Sequence, residues 1–200
     1  MVTLIREITM KFISKLFILF TVLLSAEQLF ASSSTTPYLK IGDYYQGGVI
    51  FWLDPTQQDP HGLIVDVKDQ IGSFAWDTSS SGVIGAIEDG AYAGKNNTSK
   101  IQTVLSANAP GAMACINSNS GNFHDWYLPS VLELTTIFSN QMTIYHTAKL
   151  HEGADLSRSS SYWSSVESQS NPSYALTISG GLVQSLKKQA VLSVRCIRSF

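Results

Sequence analysis

The sequence predicts an α+β domain in which two to three short helices lie between sheet-forming segments at both ends. Three observations carry this. Two glycine-entered apolar runs, Gly47 to Leu53 and His61 to Val65, stand near the start of the domain. A helix start with its own stop-and-go chemistry sits at Leu128-Pro129-Ser130. From Ser161 onward the residues alternate as strands do, with turn residues between the runs.

Each element follows from local chemistry. Gly47-Gly48-Val49-Ile50-Phe51-Trp52-Leu53 reads as a strand closed by Asp54-Pro55, and Gln57 to Pro60 is a polar turn leading to the second strand, so the two form a hairpin. Ser73 to Asn97 is rich in Gly, Ser, Asn and Asp and reads as a surface loop with Trp76 tucked inside. A short helix is expected from Ser99 through Leu105, and Pro110 suits the first turn of another through Ala112, Cys115 and Ile116.

Pro129 disfavours the α region for Leu128, so the chain arrives extended at Ser130. Ser130 and Glu133 stand at the spacing of a capping box, with a helix following from Val131 to Ser139. Strands are expected over Ser161 to Val166, Ser173 to Ser179, Gly181 to Leu186 and Ala190 to Arg198, with Gly180-Gly181 as a two-residue turn. Alternation in the last strand places Ala190, Leu192, Val194 and Cys196 on one face, and Arg195 among apolar neighbours on the other. That reads as a partly buried, paired arginine, with Asp125 or Glu133 as partner.

Residues 1–31 have the layout of a secretory signal peptide: Lys11 and Lys15, an apolar run from Leu16 to Leu24, then small residues at Ser25-Ala26 and Ala31. That run is about half the roughly 20 residues of a membrane-spanning helix, so no span is expected after cleavage. Residues 32–37 read as a short linker and 38–200 as one domain. The product is expected to be secreted or at the cell surface, with the periplasm as the alternative.

Without residues 1–31, 10 basic and 13 acidic residues remain. This net negative charge argues against a nucleic-acid partner. The charge is uneven, because no acidic residue follows Glu167 while Lys187, Lys188, Arg195 and Arg198 crowd the last stretch. The two cysteines, Cys115 and Cys196, read as a disulfide in an exported chain, against two buried free thiols. The bridge would stabilise the fold by roughly 4 kcal/mol on chain-entropy grounds.

Signs of catalysis are sparse. There is no Gly-x-Ser-x-Gly elbow and no phosphate-cradling glycine loop before a helix. His61, His124, His146 and His151 are scattered, and the acidic loops lack calcium-ligand spacing. No enzyme, cofactor or metal is expected. Trp126-Tyr127 lies in a turn, either as a core plug or as an aromatic contact surface.

Six strings in order resemble a known family: Gly47 to Trp52, His61 to Ile64, Gly94 to Thr98, Asp125 to Ser130 with Glu133-Leu134, Tyr162 to Ser165, and Val194 to Arg198. Together they are similar to the C-terminal domain of the Legionella collagen-like adhesin. The resemblance implies a C-type-lectin-like fold with a mixed or antiparallel sheet and an adhesin-like role. It also implies a homotrimer and a partner that is an anionic, sulfated polysaccharide such as a glycosaminoglycan, or else a surface protein. The collagen-like stalk is absent, as are the strings by which calcium-dependent lectins hold sugars. Contacts to such a ligand would fall to Lys187, Lys188, Arg198 and Arg158, with Trp126 and Tyr127 beside them. The alternative is a structural or protein-interaction module of the cell envelope.

Overall fold

The apolar runs near Gly48 become the centre of the molecule because both of their faces are covered. A computed structural model of the chain describes residues 38–56, 60–157, 159–169 and 174–200, apart from the side chains of 174–176. The expected signal peptide and linker, most of the Gln57 to Pro60 turn, and Arg158 lie outside the described residues. Every described strand and helix belongs to one compact unit, Leu39–Phe200.

Strands β1 (Tyr44–Tyr45), β2 (Gly48–Leu53), β3 (Gly62–Asp66) and β9 (Ile197–Ser199) form an antiparallel sheet in the order β1-β2-β3-β9. β3 is buried along its whole length. Its alternate residues feed two cores: Leu63 and Val65 join one, Ile64 joins the other. That is why the segment reads as a continuous apolar run rather than an alternating one.

The first core is closed by helices α3 (Val131–Ser139) and α4 (Gln141–Leu150) through Leu134, Ile137, Phe138, Ile144 and Ala148. The second is closed by α1 (Ala93–Leu105) and α2 (Pro110–Ile116) through Ile101, Leu105, Ala112 and Cys115. A short ladder, β4 (Phe74–Ala75) with β8 (Val191–Leu192), lies apart from the main sheet. The third sheet, β5 (Ser161–Glu167), β6 (Tyr174–Ser179) and β7 (Leu182–Lys187), is an antiparallel meander. In β5, adjacent Tyr162 and Trp163 enter opposite cores. Gly180 and Gly181 both take positive φ, as a two-residue turn in register with strand twist requires.

The α+β class is as expected, but the helices differ. Four α-helices stand among the described residues where two to three were expected. α4 has no counterpart in the sequence reading, because Gln141–Leu150 carries only a weak apolar stripe, with Ile144 and Ala148 buried. α1 begins at Ala93, six residues before the expected cap, so the presumed loop is shorter. The last strand is not continuous. β8 ends at Leu192, and Val194, Arg195, Cys196 and Ile197 are all fully buried, so strict alternation fails there. The Cys115–Cys196 disulfide is present and ties α2 to the residue before β9.

Candidate functional site

Three of the six strings meet at one junction. Thr98 Oγ1 of α1 donates to Leu128 O at 3.2 Å and accepts from Leu128 N at 3.0 Å. Ser165 N of β5 donates to Pro129 O at 2.7 Å, and Asn97 Nδ2 reaches Ser165 Oγ at 3.3 Å. Gly94 is where α1 comes against this loop. A Cβ there would stand 2.4 Å from Glu133 Oε2 and 2.7 Å from Leu128 O, so only glycine fits without a shift.

Glu133 is the hub. Its Oε2 accepts from Ser130 N at 2.7 Å, while Glu133 N donates to Ser130 Oγ at 3.2 Å, which completes the capping box expected at the start of α3. The same Oε2 accepts from Gly94 N at 3.2 Å in the first turn of α1. One carboxylate therefore meets two helix N-termini, where free N–H groups favour negative charge. Burial raises its pKa to about 7 in spite of these bonds from Ser130, Tyr92 and Gly94. Glu133 Oε1 and the hydroxyl of buried Tyr127 have no hydrogen-bond partner among the described residues.

An aromatic corner flanks this buried pair. β2 carries a bulge: Ile50 pairs with Ile64 and Trp52 with Leu63, so Phe51 is the extra residue. Bulges re-aim the side chains that follow them. Trp52 and Tyr92 both pack half-buried on the core cluster that contains Tyr127, and their rings meet edge to face at 5.4 Å and 87°. Tyr92 holds φ 66° at the N-cap of α1, a backbone region unusual for an aromatic residue. Burial, then the charges of Asp54 and Glu133, raise the pKa of its hydroxyl. Neither Trp52 nor Tyr92 is among the site residues expected from sequence. The one signal in the chain that points to them is the position of Trp52 at the end of a glycine-entered strand.

The chain matches the Lcl C-terminal domain family over residues 66–198. It belongs to that family. As an Lcl C-terminal domain it is an adhesin-like module, in line with the resemblance carried by the six strings. No curated protein matches it. Among solved structures, a fimbrial protein from Bacteroides ovatus is similar at 15% identity and a TM-score of 0.55, over 80% of this chain and 48% of that one. The chain thus spans about half the length of that protein, and the likeness is one of fold. Among the described residues no helix is long and apolar enough to cross a membrane.

In this Lcl C-terminal domain the residues expected to contact a ligand do not, among the described residues, gather into one surface patch. Lys187 is exposed. Lys188, expected at the surface of a bend, is fully buried: its ammonium pairs with Glu167, donates to Gly82 O at 3.2 Å and lies 4.7 Å from the Trp76 ring. Glu167 also accepts from Ile84 N and Gly85 N, so this pair pins the loop ahead of α1. Arg198 is buried as well. Its guanidinium grips Asp125 through two bonds of 2.6 and 2.9 Å, donates to Gln46 Oε1 and stacks over Phe123 at 4.0 Å.

Arg195 is buried and paired as expected, but with neither Asp125 nor Glu133. It meets Asp69 Oδ1 at 2.5 Å and the carbonyls of Asp66, Ala154 and Asp155. Trp126 and Tyr127 take the core-plug alternative. Both are almost fully buried, and Trp126 Nε1 donates to Ser120 O at 3.0 Å. The carboxylate of Asp125, next to His124, is engaged by Arg198.

Proposed function

We propose that the chain is an exported, non-catalytic, adhesin-like module that recognises a protein partner at the cell surface rather than a sulfated polysaccharide. Support comes from the C-terminal cations. Lys188, Arg195 and Arg198 each hold an internal carboxylate, which leaves Lys187 as the exposed cation of that stretch. A sulfated chain needs several cations presented together, because each exposed contact is weak and screened by salt.

The test is passage of the purified protein over immobilised heparin at low salt, with a neutral glycan matrix alongside. The protein is expected to flow through both, and Lys187→Glu to leave its elution unchanged. Retention on heparin that falls steeply with salt, and that Lys187→Glu weakens, would overturn this reading and restore the anionic-glycan one.

A further inference from the structure

We propose that the corner formed by Trp52 and Tyr92, backed by the carboxylates of Asp54 and Glu133, binds a protonated alkylamine such as a lysine side chain of the surface partner. This deepens the protein-partner reading and rests on it. Four separate features of the corner favour such a ligand.

The first is the rings. Trp52 and Tyr92 stand at 87° with centroids 5.4 Å apart and both remain half-buried. An alkylammonium at such a corner meets a π face with its charge and apolar ring surface with its methylene stem. The second is how the rings are held. The β2 bulge redirects Trp52, and the backbone of Tyr92 stays at φ 66° where glycine would be easier. Strain of this kind persists only where the surroundings impose it, and it gathers at binding sites.

The third is charge. Asp54 and Glu133 both act on Tyr92, and Asp54 Oδ1 is held by Thr56, whose N and Oγ1 donate to it at 2.9 and 2.6 Å. Deeper in, Tyr127 feels Glu133, Tyr92, Asp125 and Arg198, and that arginine is engaged by Asp125. The fourth is hydrogen-bonding capacity left unused at Glu133 itself and at its neighbour Tyr127. Glu133 Oε1 and Tyr127 Oη are buried without a partner among the described residues, and the two rings pack on the cluster that holds Tyr127. A buried carboxylate oxygen with an unused lone pair gains from any cation that comes up against it.

The experiment titrates the full chain with Nα-acetyl-lysinamide and follows tryptophan emission and the Trp52 indole N–H resonance. Nα-acetyl-norleucinamide and methyl glucoside serve as uncharged controls. The lysine probe is expected to give a saturable change in the low millimolar range, and the controls none. Tyr92→Gly removes the ring while suiting the positive φ, and Asp54→Asn removes one charge. Each should weaken the lysine probe by about ten-fold while circular dichroism stays unchanged.

Absence of saturable binding, an equal response to norleucinamide or to the glucoside, or full affinity in Tyr92→Gly would overturn the proposal. Retention on heparin would overturn the protein-partner reading and leave this titration interpretable, so the two failures are distinct.

Discussion

Helices α3 and α1 begin beside the same carboxylate, yet their starts are built in opposite ways. α3 has a complete local cap: Ser130 and Glu133 exchange two hydrogen bonds across three residues. α1 has no side-chain cap of its own, and its N-cap residue is a left-handed tyrosine. Its first turn is met from a distance of 39 residues by Glu133 Oε2 on Gly94 N. A cap made within one turn stabilises its helix alone. A cap shared across the fold makes two helices depend on one residue, and the price is a buried carboxylate with one oxygen unpartnered among the described residues.

The largest test of this contrast is Glu133→Ala. It strips both starts at once and strands two buried N–H groups, so a loss of about 4 kcal/mol is expected in chemical denaturation. A loss of about 1 kcal/mol, the usual value of a single cap, would mean that α1 does not rely on Glu133. Gly94→Ala attacks the shared side only. Its Cβ would crowd the carboxylate and the Leu128 carbonyl, and about 3 kcal/mol should be lost with α3's own box left intact.

The pH dependence comes next. The Glu133 carboxyl, ordinarily near 4.5, is raised to about 7 in the folded chain. The folded state therefore keeps a proton that the unfolded state has released. This contribution to stability is fully present below the ordinary value and is lost as pH rises through about 7. Melting followed from pH 5 to pH 8 should show a fall of about 2 kcal/mol, and Glu133→Gln should flatten it. Asp66, raised by burial ahead of its bond from Ser120, acts in the same direction, and Asp77, lowered against its burial by bonds from Ser81 and Ser79, acts in the opposite one.

Smaller effects separate the two starts further. Ser130→Ala should cost about 1 kcal/mol, since it removes the local cap and the bond to Gly90 O but spares Gly94 N. Tyr92→Gly should leave stability within about 0.5 kcal/mol, because relief of the positive φ offsets the lost ring packing. A marked loss in Tyr92→Gly would place that ring in the core rather than in a binding corner.

What can be read from the sequence is what its local chemistry closes on itself. The Ser130–Glu133 box, the Gly180-Gly181 turn, Pro110 opening α2 and the glycine-entered hairpin all depend on neighbours a few residues apart. The charges cannot be placed this way. Lys188 beside Lys187 has the look of a solvated pair, and a carboxylate 21 residues earlier helps draw it inside. Arg195 and Arg198 find Asp69 and Asp125 across 126 and 73 residues. The corner at Trp52 and Tyr92 exists because a bulge and a left-handed residue meet, and neither has a sequence mark of its own.

The Cys115–Cys196 bond has a mechanical consequence. β9 runs at the edge of the main sheet against β3, and antiparallel edge strands peel one hydrogen bond at a time when pulled from an end. Tension applied beyond Phe200 could unzip only Ile197 onward before reaching Cys196. There the load leaves the hydrogen-bonded ladder and passes through a covalent link into α2, so the central strands are spared. The sheet therefore stops fraying at a fixed residue when pulled from this end, and a reducing agent would remove that stop.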